Sequence, residues 1–184
     1  MLRNHPILTE ILIALGAFVL FVPFLGGVHL FDWDEINFAE SAREMIMTGD
    51  YLTVQIDFQP FWEKPPLFIW MQVLSMKVFG INEFAARFPN VICGMITLVV
   101  IFRAGRRIYD TEFAWFWVLS YICSFLPFLS FKTCLIDPWF NLFIFAALLN
   151  FILCQESEPG RKRWRHLLLA AILLGLANLT KGPV

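Results

Sequence analysis

Apolar positions in this chain come in long blocks, separated by short charged segments. The first block, residues 11–30, follows Arg3 and His5. As a helix it would cover about 30 Å, one hydrocarbon thickness of a bilayer. It is longer than the core of a cleavable leader. Phe24-Leu25-Gly26-Gly27-Val28 also makes a poor small-x-small exit, so an uncleaved span is expected. Further spans are expected at 84–102, at 113–131 with Pro127 kinking or terminating it, at 139–154, and from 167 to 184. Residues 66–79 are apolar too, but as a helix they would reach only about 21 Å. Gln72, Ser75 and Lys77 interrupt them, so a helix lying along the interface and ended by Gly80 is expected.

The segment 31–64 breaks the pattern, with eight acids against Arg43 and Lys64. Within it, residues 35–48 read as an amphipathic helix. Ile36, Ala39, Ala42, Met45 and Ile46 share one face, while Glu40, Arg43 and Glu44 lie elsewhere. Asp34 is placed to cap its start and Gly49 to stop its end. The expected architecture is an all-α membrane protein, a multi-span helical bundle with interfacial helices in a first outer loop at 31–83.

Composition agrees. The chain of 184 residues is 59% apolar and 16% charged, with a mean hydropathy of +0.68. A soluble domain is nearer 45–50% apolar and about 25% charged. Disorder, a disulfide scaffold and a nucleic-acid binder are excluded as classes. Cys93, Cys123, Cys134 and Cys154 include no CxxC pair and read as small core residues; His5, His29 and His166 are scattered. The net charge of −1 matters less than its placement. With 66–79 kept out of the count, Arg103, Arg106, Arg107 and the cluster at 161–165 fall on the side of Arg3, as the positive-inside rule asks. The acidic loop, Lys132, Asp137 and Lys181 then share the opposite, outer side. The chain stops at Lys181-Gly182-Pro183-Val184, just after an apolar run, which is expected of the N-terminal part of a longer membrane protein.

Several outer-side residues could carry chemistry. The Asp34-Glu35 pair can act as a general base or cation ligand, or serve as a cap and a first-turn acid. In Glu63-Lys64-Pro65-Pro66 the prolines stiffen the backbone and hold an ammonium at a fixed place. Lys64 can meet a phosphate headgroup there, or snorkel beside Glu63. Asp137 before Pro138 is a membrane-level acid or a helix cap. Lys132 and Lys181 are interface anchors or phosphate contacts, and Arg87 is ambiguous in the same way. The seven tryptophans suit a membrane belt.

The ordered series Asp34-Glu-Ile-Asn-Phe-Ala-Glu40-Ser-Ala-Arg43, Gly49-Asp50-Tyr51, Phe61-Trp-Glu63-Lys64-Pro-Pro-Leu67, Phe79-Gly80-Ile-Asn-Glu-Phe-Ala-Ala-Arg87, Leu135-Ile-Asp137 and Thr180-Lys-Gly-Pro183 resembles the membrane glycosyltransferases related to protein O-mannosyltransferases and the lipid A aminoarabinose transferase. The resemblance runs from about residue 10 to the end. It implies a GT-C fold and transfer of a sugar from a polyprenyl-phosphate donor to a lipid, glycan or protein acceptor at the outer face of the cytoplasmic membrane. It implies that Asp34, with Glu35 beside it, is catalytic. Lys64, Asp137, Arg87 and Lys181 would bind substrate, and Glu63 would ligate a divalent metal ion. Asn37-Phe38 stands where relatives commonly carry Arg-Tyr, so donor or acceptor preference is expected to differ. The alternative is a transporter or flippase for a lipid-linked substrate, which calls for ionisable residues near mid-bilayer.

Overall fold

The computed structural model describes residues 6–182; Arg3, His5 and Pro183 lie outside them. The described residues form helices α1 (Pro6–Phe21), α2 (Asp32–Thr48), α3 (Leu67–Phe79), α4 (Glu83–Ile108), α5 (Thr111–Cys123), α6 (Phe125–Ser130), α7 (Asp137–Glu156) and α8 (Arg161–Lys181). A two-stranded hairpin, β1 (Gln55–Ile56) with β2 (Gln59–Pro60), joins α2 to α3. It was not foreseen. Its two turn residues, Asp57 and Phe58, both have positive φ, a conformation whose usual residues are glycine and asparagine.

The proline and glycine positions explain where the helices depart from expectation. The first helix stops at Phe21, not at residue 30, two residues before Pro23. The block at 113–131 is two helices. Pro127 has no N–H to offer the carbonyl of Cys123, and its ring would crowd that carbonyl. The chain accordingly breaks at Ser124, in extended conformation. By contrast, α4 runs on to Ile108 and α8 begins already at Arg161, because their arginine-rich ends are good helix formers. Helix α2 ends as expected, with Gly49 at φ 74° and its N–H bonded to the carbonyl of Met45.

Helix α4 is the centre, packed against α1, α3, α5 and α7; α8 packs on α7 and reaches α3. Small residues set the closest approaches, as expected where lipid removes any drive to segregate apolar side chains. A Cβ on Gly105 would stand 2.8 Å from the Cα of Ala114, and one on Gly94 would stand 2.8 Å from the ring of Phe21. Helices α4 and α7 are long and apolar enough to cross a bilayer, at about 39 and 30 Å. Apolar side chains such as Ile7, Val19, Phe116 and Leu168 are more than 60% exposed. That surface suits lipid or further protein.

Ion pairs and side-chain bonds sort the helix ends. Glu10 near the start of α1 meets Arg103 near the end of α4, and Arg107 meets Glu156 at the end of α7. At the other end, Lys132 donates to the carbonyl of Pro23 at 2.7 Å. Asn90, in the second turn of α4, donates to the carbonyls of Thr133 and Leu135. Lys181 at the end of α8 meets Asp137 at the start of α7. One end is therefore arginine-rich. The other gathers α2, α3 and the residues with candidate chemistry.

Candidate active site

The start of α2 is pinned by a buried ion pair. Arg87 and Glu35 each have 1% side-chain exposure. The Nε and Nη2 of Arg87 donate to the two carboxylate oxygens of Glu35, at 3.1 and 2.9 Å. Its remaining donors go to the carbonyls of Leu25, Val28 and His29, each at 2.9 Å. All five guanidinium N–H groups are thereby used. Glu35 accepts in addition from the backbone N–H of Phe31, at 2.8 Å, and of Cys134, at 2.7 Å. Burial pushes the Glu35 carboxyl up. The bonds from Arg87 and from the two backbone N–H groups outweigh that and hold it below the ordinary carboxylate range. With every lone pair and donor engaged, the pair is a staple. It ties the α1–α2 loop, α2, α4 and the segment before α7 to one point.

The cap assignment changes accordingly. Phe31 is the N-cap of α2, so Asp34 lies inside its first turn, and the N-cap N–H is satisfied by Glu35 reaching back. The buried face also differs from expectation. Ile36 is half exposed, whereas Ser41 and Glu44 are buried. Glu44 turns inward to accept from the N–H of Phe58, 2.9 Å away, which holds the hairpin on α2. Phe38 is buried edge-on against Phe68, with ring centroids 5.9 Å apart. Its place in the Asn37-Phe38 departure is thus in the α2–α3 contact.

Three other segments converge beside this staple. Cys134, held by Glu35, lies three residues before Asp137. The N-cap of α7 is Ile136, so Asp137 is its first helical residue rather than its cap, and Pro138 follows in the first turn. The Asp137 carboxylate meets Lys181 at 2.5 Å, with both side chains partly exposed. Gly182, next in the chain, has φ +90° and lies against Pro65; a Cβ there would be 3.8 Å from the proline ring. Lys64-Pro65-Pro66 is thereby seated on the end of α8. The start of α2, the Glu63–Pro66 segment, the start of α7 and the end of α8 form one locus.

Within it, Lys64 is half-buried and Asp34 and Glu63 are exposed. None of these three has an ion-pair partner among the described residues, so Lys64 is not held by Glu63. The locus therefore offers one unneutralised ammonium and two unpaired carboxylates, beside an ion pair open to water. That set can bind an anion and accept a proton. No group of three or more His, Cys, Asp or Glu that could hold a metal occurs among the described residues. Glu63 supplies one of the several oxygens a divalent ion needs.

Other sequence-level candidates lie in the scaffold. Lys132 bonds the Pro23 carbonyl and lies over the ring of Phe128. Cys93, Cys134 and Cys154 are buried core residues, but Cys123 is exposed. Trp139 is buried, whereas Trp33, Trp62 and Trp164 are exposed. Sequence reasoning missed Asn90, the buried amide that joins α4 to the 133–135 backbone. A lone amide inside an apolar block was its signal.

The profile of the dolichyl-phosphate-mannose-protein mannosyltransferase family matches residues 63–184. The undecaprenyl phosphate-alpha-4-amino-4-deoxy-L-arabinose arabinosyl transferase of Photorhabdus laumondii is 30% identical over 172 residues, which is 93% of this chain and 31% of that protein. Its counterpart from Edwardsiella ictaluri is 31% identical over 169 residues, with 89% and 31% covered. Crystal structures of ArnT from Cupriavidus metallidurans, one apo and one bound to undecaprenyl phosphate, superpose with a TM-score of 0.85 at 26% identity. They cover 94% of this chain and 32% of theirs. The chain thus spans about a third of the length of the relatives it matches. Profile, sequence and fold agree: the chain, an all-α membrane bundle of GT-C type, belongs to the dolichyl-phosphate-mannose-protein mannosyltransferase family.

Proposed function

We propose that this chain supplies the donor-side catalytic residues of a glycosyltransferase. The enzyme moves a sugar from a polyprenyl-phosphate carrier to a lipid, glycan or protein acceptor. The observation that carries the reading is that the start of α2, the Glu63–Pro66 segment, the start of α7 and the end of α8, which carry Asp34, Lys64, Asp137 and Lys181, share one end of the bundle, away from the arginine clusters. The names of the relatives, and the undecaprenyl phosphate bound to the Cupriavidus protein, support the choice of donor. The positive-inside rule puts the arginine end in the cytoplasm, and so the reaction at the outer face of the cytoplasmic membrane.

In this reading the acceptor oxygen attacks the anomeric carbon, and the bond from that carbon to the carrier phosphate oxygen breaks. Asp34 takes the acceptor's proton. Lys64 faces the charge that develops on the departing phosphate, held in place by Pro65 against Gly182. Lys181, positioned by Asp137, adds a second cation at the same level. An acceptor that is already anionic needs no base, and Asp34 then acts by its charge alone. Glu35 and Arg87 position Asp34 and do not touch substrate. A divalent ion would have Glu63 as one ligand; no step here depends on it.

The test is transfer of labelled sugar from polyprenyl phosphate by the full-length protein in membranes. Asp34→Asn is expected to lower the rate by a factor of about 100 or more while the protein still inserts and melts normally. Wild-type rates in that variant would remove Asp34 from the chemistry. Transport of the intact lipid-linked sugar without product would favour the transporter instead.

A further inference from the structure

The arginine-rich end contains more cation than the fold neutralises. Arg103 is paired with Glu10 and Arg107 with Glu156. Arg161, Lys162, Arg163 and Arg165 are exposed and have no ion-pair partner among the described residues. They occupy four of the first five positions of α8, where the helix dipole favours anions and repels cations. The N-cap Gly160 offers no side-chain bond, and no acid lies in the first turn. The four cations there are therefore free to meet an external anion.

The surface below the cations says what kind. Arg161, Lys162, Trp164, Arg165 and Leu168 share one open surface of the helix. They fall at i, i+1, i+3, i+4 and i+7, one face of the helix. Charge occupies its first turn; Trp164, 71% exposed, and Leu168, 62% exposed, follow. Exposed Ile172 continues the apolar path down the helix. A basic patch opening onto an apolar track matches an anionic phospholipid, phosphate against the cations and acyl chain along Trp164 and Leu168. A soluble anion would leave the apolar part bare, and an acidic peptide would not follow the track into the bilayer.

We propose that the start of α8 is a binding site for an anionic phospholipid of the leaflet opposite the Asp34–Lys64 locus. Full-length protein is reconstituted in vesicles of phosphatidylglycerol and phosphatidylcholine, with bromine on the acyl chains of one lipid or the other. Quenching of Trp164 is read as the difference between wild type and Trp164→Phe. Brominated phosphatidylglycerol is expected to quench Trp164 about fivefold more than brominated phosphatidylcholine at equal mole fraction. Arg161→Gln/Lys162→Gln/Arg163→Gln/Arg165→Gln should abolish the preference. Because those charges also orient the chain in the membrane, a second arm uses unmodified protein. Raising salt from about 0.1 to about 1 M shortens the screening length from about 10 to about 3 Å, and the preference should collapse. Equal quenching by both lipids, a preference that survives high salt, or a Trp164 that neither lipid quenches because polypeptide covers it would each overturn the proposal.

Discussion

Arg87 and Glu35, 52 residues apart in sequence, hold each other through two hydrogen bonds, and neither side chain is more than 1% exposed. They join α2 and α4, which otherwise meet chiefly through α3. The three backbone carbonyls on Arg87 and two backbone N–H groups on Glu35 make the pair the point where the outer-end loops are tied.

Removing one member should therefore cost more than removing both. Arg87→Met leaves a buried carboxylate uncompensated, at about 3–5 kcal/mol. Arg87→Met with Glu35→Leu is expected to recover a large part of that. Thermal melting in detergent checks both; an unchanged midpoint in Arg87→Met would show that the pair holds nothing.

The same pair sets a pH dependence. In the folded protein the Glu35 carboxyl lies below its ordinary value, so it binds a proton less readily than in the unfolded chain. Its stabilisation is complete above the ordinary carboxylate range and is lost as pH falls through the folded value. The melting gap between wild type and Glu35→Gln should be wide at neutral pH and close in acid. A gap that stays constant would contradict the pairing.

Lys64 has no ion-pair partner among the described residues, so its loss should not weaken the fold. Lys64→Ala is expected to shift stability by less than about 0.5 kcal/mol. Loss of a charged phosphate contact worth about 1.5–3 kcal/mol would weaken donor use by roughly ten- to hundredfold. Donor titrations of the transfer rate separate the two effects.

Asp137 and Lys181 test the opposite case, a pair that water reaches. Their side chains are 48% and 36% exposed, so a double-mutant cycle with Asp137→Asn and Lys181→Met should give a coupling below about 1 kcal/mol in melting. Activity should fall about tenfold in Lys181→Met, since a charge-assisted contact to phosphate is worth at least that, and should fall in Asp137→Asn too, which loses the carboxylate that positions Lys181. A large stability coupling with unchanged rates would make the pair purely structural.

Gly94 probes the contact between α1 and α4. A methyl group there would stand 2.8 Å from the ring of Phe21 and 2.9 Å from that of Phe131. Gly94→Ala is expected to destabilise by about 1–3 kcal/mol, the usual cost of overpacking, as read by melting.

Much of this architecture can be read along the chain because it rests on local chemistry. Apolar blocks mark helices, Gly49 stops α2, and the arginines at 103–107 and 161–165 mark one end of the bundle. Each of these depends on neighbouring residues, which the sequence displays directly. The Glu63-Lys64-Pro65-Pro66 motif can be read for the same reason: it is a contiguous word, stiff by its own prolines.

What was not legible is which charged residues the fold consumes. Asp34 and Glu35 are adjacent acids, yet one is exposed and the other is buried under a guanidinium. Glu44 looks like a surface residue until the hairpin presents the N–H of Phe58 to it. Lys64 and Lys181 look alike, and only one of them faces a carboxylate. Those outcomes turn on partners 14, 44, 52 and 99 residues away. A side chain's hydrophobicity is its own property, and periodicity reports it. A charge's fate depends on what the packed helices bring within about 3 Å, the reach of a hydrogen bond, and only the tertiary structure decides that.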